Sequence, residues 1–249
     1  MKLAAFLVAA LACLLAAVAA FMPATLVDLR LDAASGGKLR LTDATGTVWD
    51  GRGAVTDAGG AWRVPVAWSI SKADVLRNVH AVALRPVDDA ATPRGTVQAV
   101  DDGARVHDLS VEVPAQALAA LLPTRALPVL GGTIAVSAAD FAWTAKDKSG
   151  RVEAQWRGAR LVSGDARADL GTVTLSAAPQ GSALGGRIAN TGGDVRLDAT
   201  VAVSDGSVSV EGTIAPAAGA PPTIARALAA FGTPDAAGAV RVAWRGSLR

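Results

Sequence analysis

From residue 37 onward, apolar and polar side chains alternate with period two, the spacing that sends successive residues to opposite faces of a β-strand. Leu39 and Leu41 alternate with Lys38, Arg40 and Thr42. Trp62, Val64, Val66, Trp68 and Ile70 share one face of an expected strand, and Pro65 on the other face brings no ladder donor, which marks that strand as an edge. The pattern returns in Leu109, Val111 and Val113, in Val152, Ala154 and Trp156, and in Val173 with Leu175. It continues in Val195, Leu197, Ala199, Val201 and Val203, in Val208, Val210 and Ile214, and in Val240, Val242 and Trp244. One apolar and one polar face per strand predicts antiparallel meanders with a wet face, not a parallel sheet buried on both sides.

Turn signals punctuate these runs at Ser35-Gly36-Gly37, Gly59-Gly60, Asp101-Asp102-Gly103, Gly131-Gly132, Ser149-Gly150, Gly192-Gly193 and Asp205-Gly206. The last, between two alternating runs, is a short hairpin loop. Helical spacing interrupts the strands in three places. Leu26 and Leu29 follow Pro23, giving one or two turns; Pro114 precedes Leu118, Leu121 and Leu122; Pro221-Pro222 precede Ile224, Leu228 and Phe231.

Residues 3–22 are uncharged and almost wholly apolar, close to the ~20 residues with which a helix crosses a bilayer core. The expected fold class is therefore mainly β: an N-terminal transmembrane helix, then an antiparallel, curved β-sheet domain with two or three short helices. A cleaved signal peptide is the alternative for residues 1–22, since Ala17-Val18-Ala19 has the form of a cleavage site. The apolar run, however, continues past that site through Phe21 and Met22 to Pro23, which favours an anchor. Lys2 puts the short end in the cytoplasm and residues 23–249 in the periplasm.

Within residues 23–249 one organisation is an internal repeat, about 23–125 and 126–249, because a strand, a Pro-led helix, a Gly-containing turn and a strand occur twice. A tripeptide Trp-x-Gly also recurs: Trp49-Asp50-Gly51, Trp156-Arg157-Gly158 and Trp244-Arg245-Gly246. Its expected role is architectural, Trp filling a sheet face and Gly permitting a bulge or tight exit. With six Trp, four Phe and no Tyr, each indole carries an unusual share of the packing, and burial of Trp49 is expected.

Candidate chemistry is sparse. The 24 basic and 22 acidic side chains are interspersed without a basic stripe, so nucleic-acid binding has no support. His80 and His107 have no second ligand at metal spacing. Cys13 lies in the apolar segment, leaving the remainder without disulfides. Asp88-Asp89 and Asp101-Asp102 are adjacent pairs in expected loops, poorly placed for joint acid–base work. Ser69-Ile70-Ser71-Lys72 and Lys148-Ser149-Gly150 echo motifs of penicillin-recognising serine enzymes, but Ser69 falls in a strand where that nucleophile should open a helix. Gly51-Arg52-Gly53 lacks the third Gly and the helix of a phosphate cradle. No catalytic, cofactor-binding or metal-binding residue is expected.

Gly46-Thr47-Val48-Trp49-Asp50-Gly51 resembles the Gly-Thr-[Leu/Val]-Trp-x-Gly signature of the type II secretion system protein N family, with agreement in Pro23-Ala24, Leu26 and Val66-Ala67-Trp68-Ser69-Ile70. The resemblance covers residues 1 to about 86; beyond that it rests on length, β pattern and the closing Trp244-Arg245-Gly246. It implies a bitopic inner-membrane protein, not an enzyme, whose periplasmic part supports the machine that exports folded proteins from periplasm to exterior. Its partners would be other subunits of that machine: the inner-membrane platform and the periplasmic part of the secretin. The alternative is an AsmA-like envelope protein whose apolar sheet face handles lipid.

An anchor that is kept leaves the apolar segment on the mature chain. Intact-mass measurement of the membrane-fraction protein is expected to return a chain still carrying residues 3–22; a mature N-terminus near Ala20 would refute the anchor.

Overall fold

A computed structural model describes residues 21–88, 90–100, 102–121, 129–163, 166–204, 207–229 and 232–247. The expected anchor, residues 3–22, lies outside them except for Phe21 and Met22. Among the described residues no helix is long and apolar enough to cross a membrane. The chain divides into two units, residues 1–98 and 99–249, and the sheet in each is an antiparallel meander.

The first unit runs α1 (Thr25–Ser35), β1 (Leu39–Gly46), β2 (Asp50–Asp57), β3 (Arg63–Ser69), α2 (Lys72–Leu76), β4 (His80–Arg85) and β5 (Arg94–Val100), with the strands neighbouring one another in chain order. Helix α1, at 11 residues, is longer than the one or two turns its spacing predicts, and its ties to β1 explain why. The Asp28 carboxylate accepts from Arg40 Nε at 3.0 Å and Nη2 at 2.6 Å, and from the Leu41 amide at 2.7 Å. Ser35 Oγ accepts the Leu39 amide at 3.0 Å. Those bonds hold the outer turns on the sheet while Val27 and Leu31, four apart and so on one helix face, pack on Ala24, Leu41 and Trp68.

Strand β3 is not the edge its proline predicts, for it lies between β2 and β4. The reason a proline is tolerated is local. Pairing with β4 begins only at Ala67↔Arg85 and runs to Ser69↔Ala83, so Pro65, opposite Ala54 of β2, has no strand partner on its other side among the described residues. Helix α2 is a further difference. Ser71 Oγ accepts the Asp74 amide at 3.2 Å, an N-cap that lifts residues 72–76 out of the sheet; the Ser-x-x-Asp spacing is its sequence signal.

The second unit runs β6 (Gly103–Pro114), α3 (Gln116–Leu121), β7 (Val129–Trp143), β8 (Lys148–Gly150), β9 (Val152–Ser163), β10 (Ala166–Gln180), β11 (Ala183–Thr191), β12 (Val195–Ser204), β13 (Ser207–Pro216), α4 (Pro222–Ala229) and β14 (Val240–Ser247). Its strand order is β6-β7-β9-β10-β11-β12-β13-β14, with β8 paired to β7. Register makes the alternation visible as rows. Val111, Val136, Ala154, Leu175, Ile188, Ala199, Gly212 and Val242 are successive cross-strand partners. On the opposite face runs Ser137, Glu153, Ser176, Arg187, Thr200, Glu211 and Ala243. A slip of one residue in any strand would put its apolar set into the polar row, and this pins the register.

Two short helices serve the apolar face. Helix α4 presents Ile224 and Leu228, which with Val195 and Val240 form the buried cluster at one end of the unit. Ala115 and Ala117 are buried where β6 passes into α3. Leu122 and Phe231, assigned to these helices by spacing, lie outside the described residues. The Gly131-Gly132 signal marks a bulge inside β7, not a turn: the register against β9 shifts between Gly131 and Thr133. Gly132 there has φ 96° and faces the Arg157 and Gly158 carbonyls so closely that a Cβ would collide with both. Ser149-Gly150 likewise lies in β8, not in a turn.

The Arg40 guanidinium, and after it the Leu41 amide, hold the Asp28 carboxyl below its ordinary value of 3.8. A carboxyl lowered by folding contributes stability above its unfolded pKa, and the contribution is lost as pH falls through the lower, folded value. Asp28→Asn is therefore expected to melt below the wild type at neutral pH. The two melting temperatures should converge on acidification below about pH 4, as read from melting curves of the detergent-solubilised chain; a constant gap would refute the assignment.

Candidate functional site at the signature turn

Strand β1 ends at Gly46 and β2 begins at Asp50, so Thr47, Val48 and Trp49 must reverse the chain. The Thr47 amide donates to the Asp50 carbonyl at 2.8 Å, and the Asp50 amide donates back to Thr47 Oγ1 at 3.1 Å. The remaining backbone groups of the turn reach outward. Gly46 O accepts the Ala24 amide at 3.1 Å, and the Val48 amide donates to Met22 O at 2.9 Å. Residues 22–24 are thereby laid along the turn, with Pro23 bridged to Thr47. Trp49 O accepts the Ile70 amide at 2.6 Å, fastening the end of β3.

Trp68 closes the arrangement from below. Its indole is 5% exposed, and Nε1 donates to Val48 O at 2.9 Å, so a buried polar atom finds its partner in the signature itself. Gly51 stands opposite Trp68 in the β2–β3 register. A Cβ on Gly51 would sit 2.5 Å from Trp68 Cζ2 and 2.7 Å from Thr47 O, distances no side chain can accept. The signature glycine is thus the space into which the indole fits.

The buried indole is Trp68 and not Trp49, against the expectation. Trp49 is half-buried, and Lys72 Nζ lies 5.7 Å from its ring centre, within cation–π range. The local carboxylate, Asp50, is matched by Arg85 Nη2 at 2.7 Å, which also reaches Trp68 O at 3.3 Å. Arg85 had no sequence signal, because it arrives from β4 through pairing alone. Phe21, Trp49, Ile70 and Lys72 line a shallow open groove over the turn.

The other two Trp-x-Gly copies do different things. Trp156 lies in β9, with Nε1 donating to Gly131 O at 2.8 Å, and Gly158 sits beside the β7 bulge. In β14 the ring of Trp244, 51% exposed, folds over Gly246. The three copies therefore share composition but not geometry.

The remaining candidates are dispersed. Ser69 pairs with Asp50 and Ala83, Lys72 lies over Trp49, and Lys148 Nζ sits 4.8 Å from the Trp143 ring. His107 Nδ1 is 2.6 Å from Asp140 Oδ1, both side chains more than half exposed. Among the described residues no group of three or more His, Cys, Asp or Glu comes together. Besides Asp28, the Asp198 carboxyl is held below its ordinary range, by Arg187 across the polar sheet face.

These features define an antiparallel β-meander protein organised at its N-terminal end around a signature turn. Residues 37–243 match the family Type II secretion system (T2SS), protein N, and the chain belongs to that family. No curated protein and no solved structure matches it.

Since Trp68 fills the core and Trp49 the rim, Trp68→Ala is expected to cost about 3–5 kcal/mol and Trp49→Ala clearly less. Gly51→Ala should cost about 1–3 kcal/mol by overpacking, whereas Gly59→Ala, in the open β2–β3 turn, should be near neutral. Melting curves of the four variants check this, and equal losses for Gly51→Ala and Gly59→Ala would overturn the packing role of Gly51.

Proposed function

We propose that this chain is a non-catalytic component of type II secretion. In this reading residues 3–22 anchor it in the inner membrane, residues 23–249 stand in the periplasm, and the protein supports assembly or stability of the machine that exports folded proteins. The observation that carries the proposal is the use made of the signature. Within a family of the secretion apparatus, Gly46 O, the Val48 amide and carbonyl, and Trp49 O each bond to chain outside the signature, a use that suits the signature to architecture. What remains for function is surface: sheet faces and edges, which suit pairing with other subunits of the machine, its inner-membrane platform and the periplasmic part of its secretin.

One observation favours the AsmA-like, lipid-handling reading as a second. Val111, Val136, Leu175, Ile188, Val201, Val210 and Val242 of the apolar face are only half-buried and lie outside the cluster sealed by α4. An apolar row of that length is unusual on a monomer's surface.

The experiment is the distribution of a known secreted enzyme among cytoplasm, periplasm and medium in deletion and complemented strains. Periplasmic accumulation, relieved on complementation, is expected. Normal secretion together with altered outer-membrane permeability would sink the secretion role and promote lipid handling.

A further inference from the structure

We propose that the signature turn is a membrane-surface dock, in which Phe21, Trp49, Lys72 and Leu76 occupy the interfacial layer of the bilayer that residues 3–22 enter. The dock rests on the proposed anchor and adds what holds the first unit to the lipid surface.

Chain length and connectivity argue for it first. The apolar run ends at Met22, and a helix of ~20 residues is used up in crossing the ~30 Å hydrocarbon core. No linker separates the two. Met22 O is already bonded to the Val48 amide at 2.9 Å and the Ala24 amide to Gly46 O at 3.1 Å. The turn must then lie within a residue or two of the hydrocarbon boundary, inside a headgroup layer only about 5–8 Å deep.

The residue types there fit that layer. Phe21 at 77% and Leu76 at 88% are the most exposed large hydrophobics among the described residues; Phe21 lines the groove over this turn, and Leu76 ends the helix that Lys72 begins. Leu76 lies four residues after Lys72 on α2, hence on the same helix face, and Lys72 shares the open groove with Phe21 and Trp49. A tryptophan, a lysine and exposed apolar side chains form the usual interfacial set. The carboxylates nearby are matched, Asp50 by Arg85 at 2.7 Å and Asp74 by Arg77 at 3.3 Å, so they do not oppose approach to lipid phosphate.

The test uses the full chain carrying Cys13→Ser, which removes its single cysteine. Phe21→Cys, Leu76→Cys and Ala58→Cys are each labelled with an environment-sensitive fluorophore and reconstituted into phosphatidylcholine–phosphatidylglycerol vesicles containing a lipid spin-labelled near its headgroup. Ala58 lies at the far end of β2, a strand of roughly 25 Å at 3.3 Å per residue. Loss of fluorescence at Phe21→Cys and Leu76→Cys, with none at Ala58→Cys, is expected. Loss at Phe21→Cys alone would overturn the dock while leaving the anchor standing, and would point to a protein partner for Leu76. No loss at Phe21→Cys, with chains that do not float with the vesicles, would overturn dock and anchor together.

Discussion

The bond from the Val48 amide to the Met22 carbonyl, paired with that from Ala24 to Gly46, is the constraint on which the N-terminal unit depends. A turn between two strands normally leaves its outward amides to water. Here they are met by incoming chain, so the segment after the apolar run approaches as a short extra ladder rung and then enters α1. Once that entry is set, α1 can only lie across β1, where Asp28 takes Arg40 and the Leu41 amide. Each such bond adds only about 1 kcal/mol net, yet together they leave the chain a single path from Phe21 to Leu41.

Beneath that path the tryptophans divide the work. Trp68 supplies the large apolar volume, and its indole N–H reaches Val48 O without breaking a strand. Trp49, in the same turn, is half-buried with Lys72 Nζ 5.7 Å from its ring centre. The two roles are linked through Gly51. Only a residue without a side chain lets the Trp68 ring pass under the turn, and that passage keeps the turn close enough to the sheet for Trp49 O to accept the Ile70 amide. Trp62 shows the cost of the opposite solution: it is buried, but its Nε1 has no partner among the described residues, and its burial must outweigh an unmade bond worth about 1–3 kcal/mol.

The second unit rests on repetition. Row after row, apolar partners meet on one face and Ser, Thr, Arg, Asp and Glu on the other, with pairs such as Arg187–Asp198 and Arg157–Glu112 spanning strands. Exposed pairs of this kind add little stability; their contribution is to favour one register, since a slip would part them. Helix α4 seals one end of the apolar face with two side chains, Ile224 and Leu228. The sheet itself is thus specified over its whole length, whereas its cover is short.

Near-neighbour physics accounts for everything legible along the chain. Period-two alternation assigned the strands and their faces, because the pleat forces side chains to alternate whatever the partner strand. Prolines and glycines placed the helices after 23, 114 and 221, and a signature of six residues pointed to the family. Contacts between residues distant in the chain settled the rest, and these exist only in the folded molecule. Pro65 predicts an edge, but β3 has a neighbour on each side, because pairing with β4 starts only beyond the proline. Gly131-Gly132 reads as a turn, but the approach of the Arg157 carbonyl makes it a bulge in a long strand. Among six tryptophans nothing local distinguishes Trp68 from Trp49; the choice was made by Gly51, opposite Trp68 in the ladder though well before it in the chain. Arg85 and the Met22 carbonyl joined the site for the same reason: their partners are set by strand order and register, which composition and spacing do not encode.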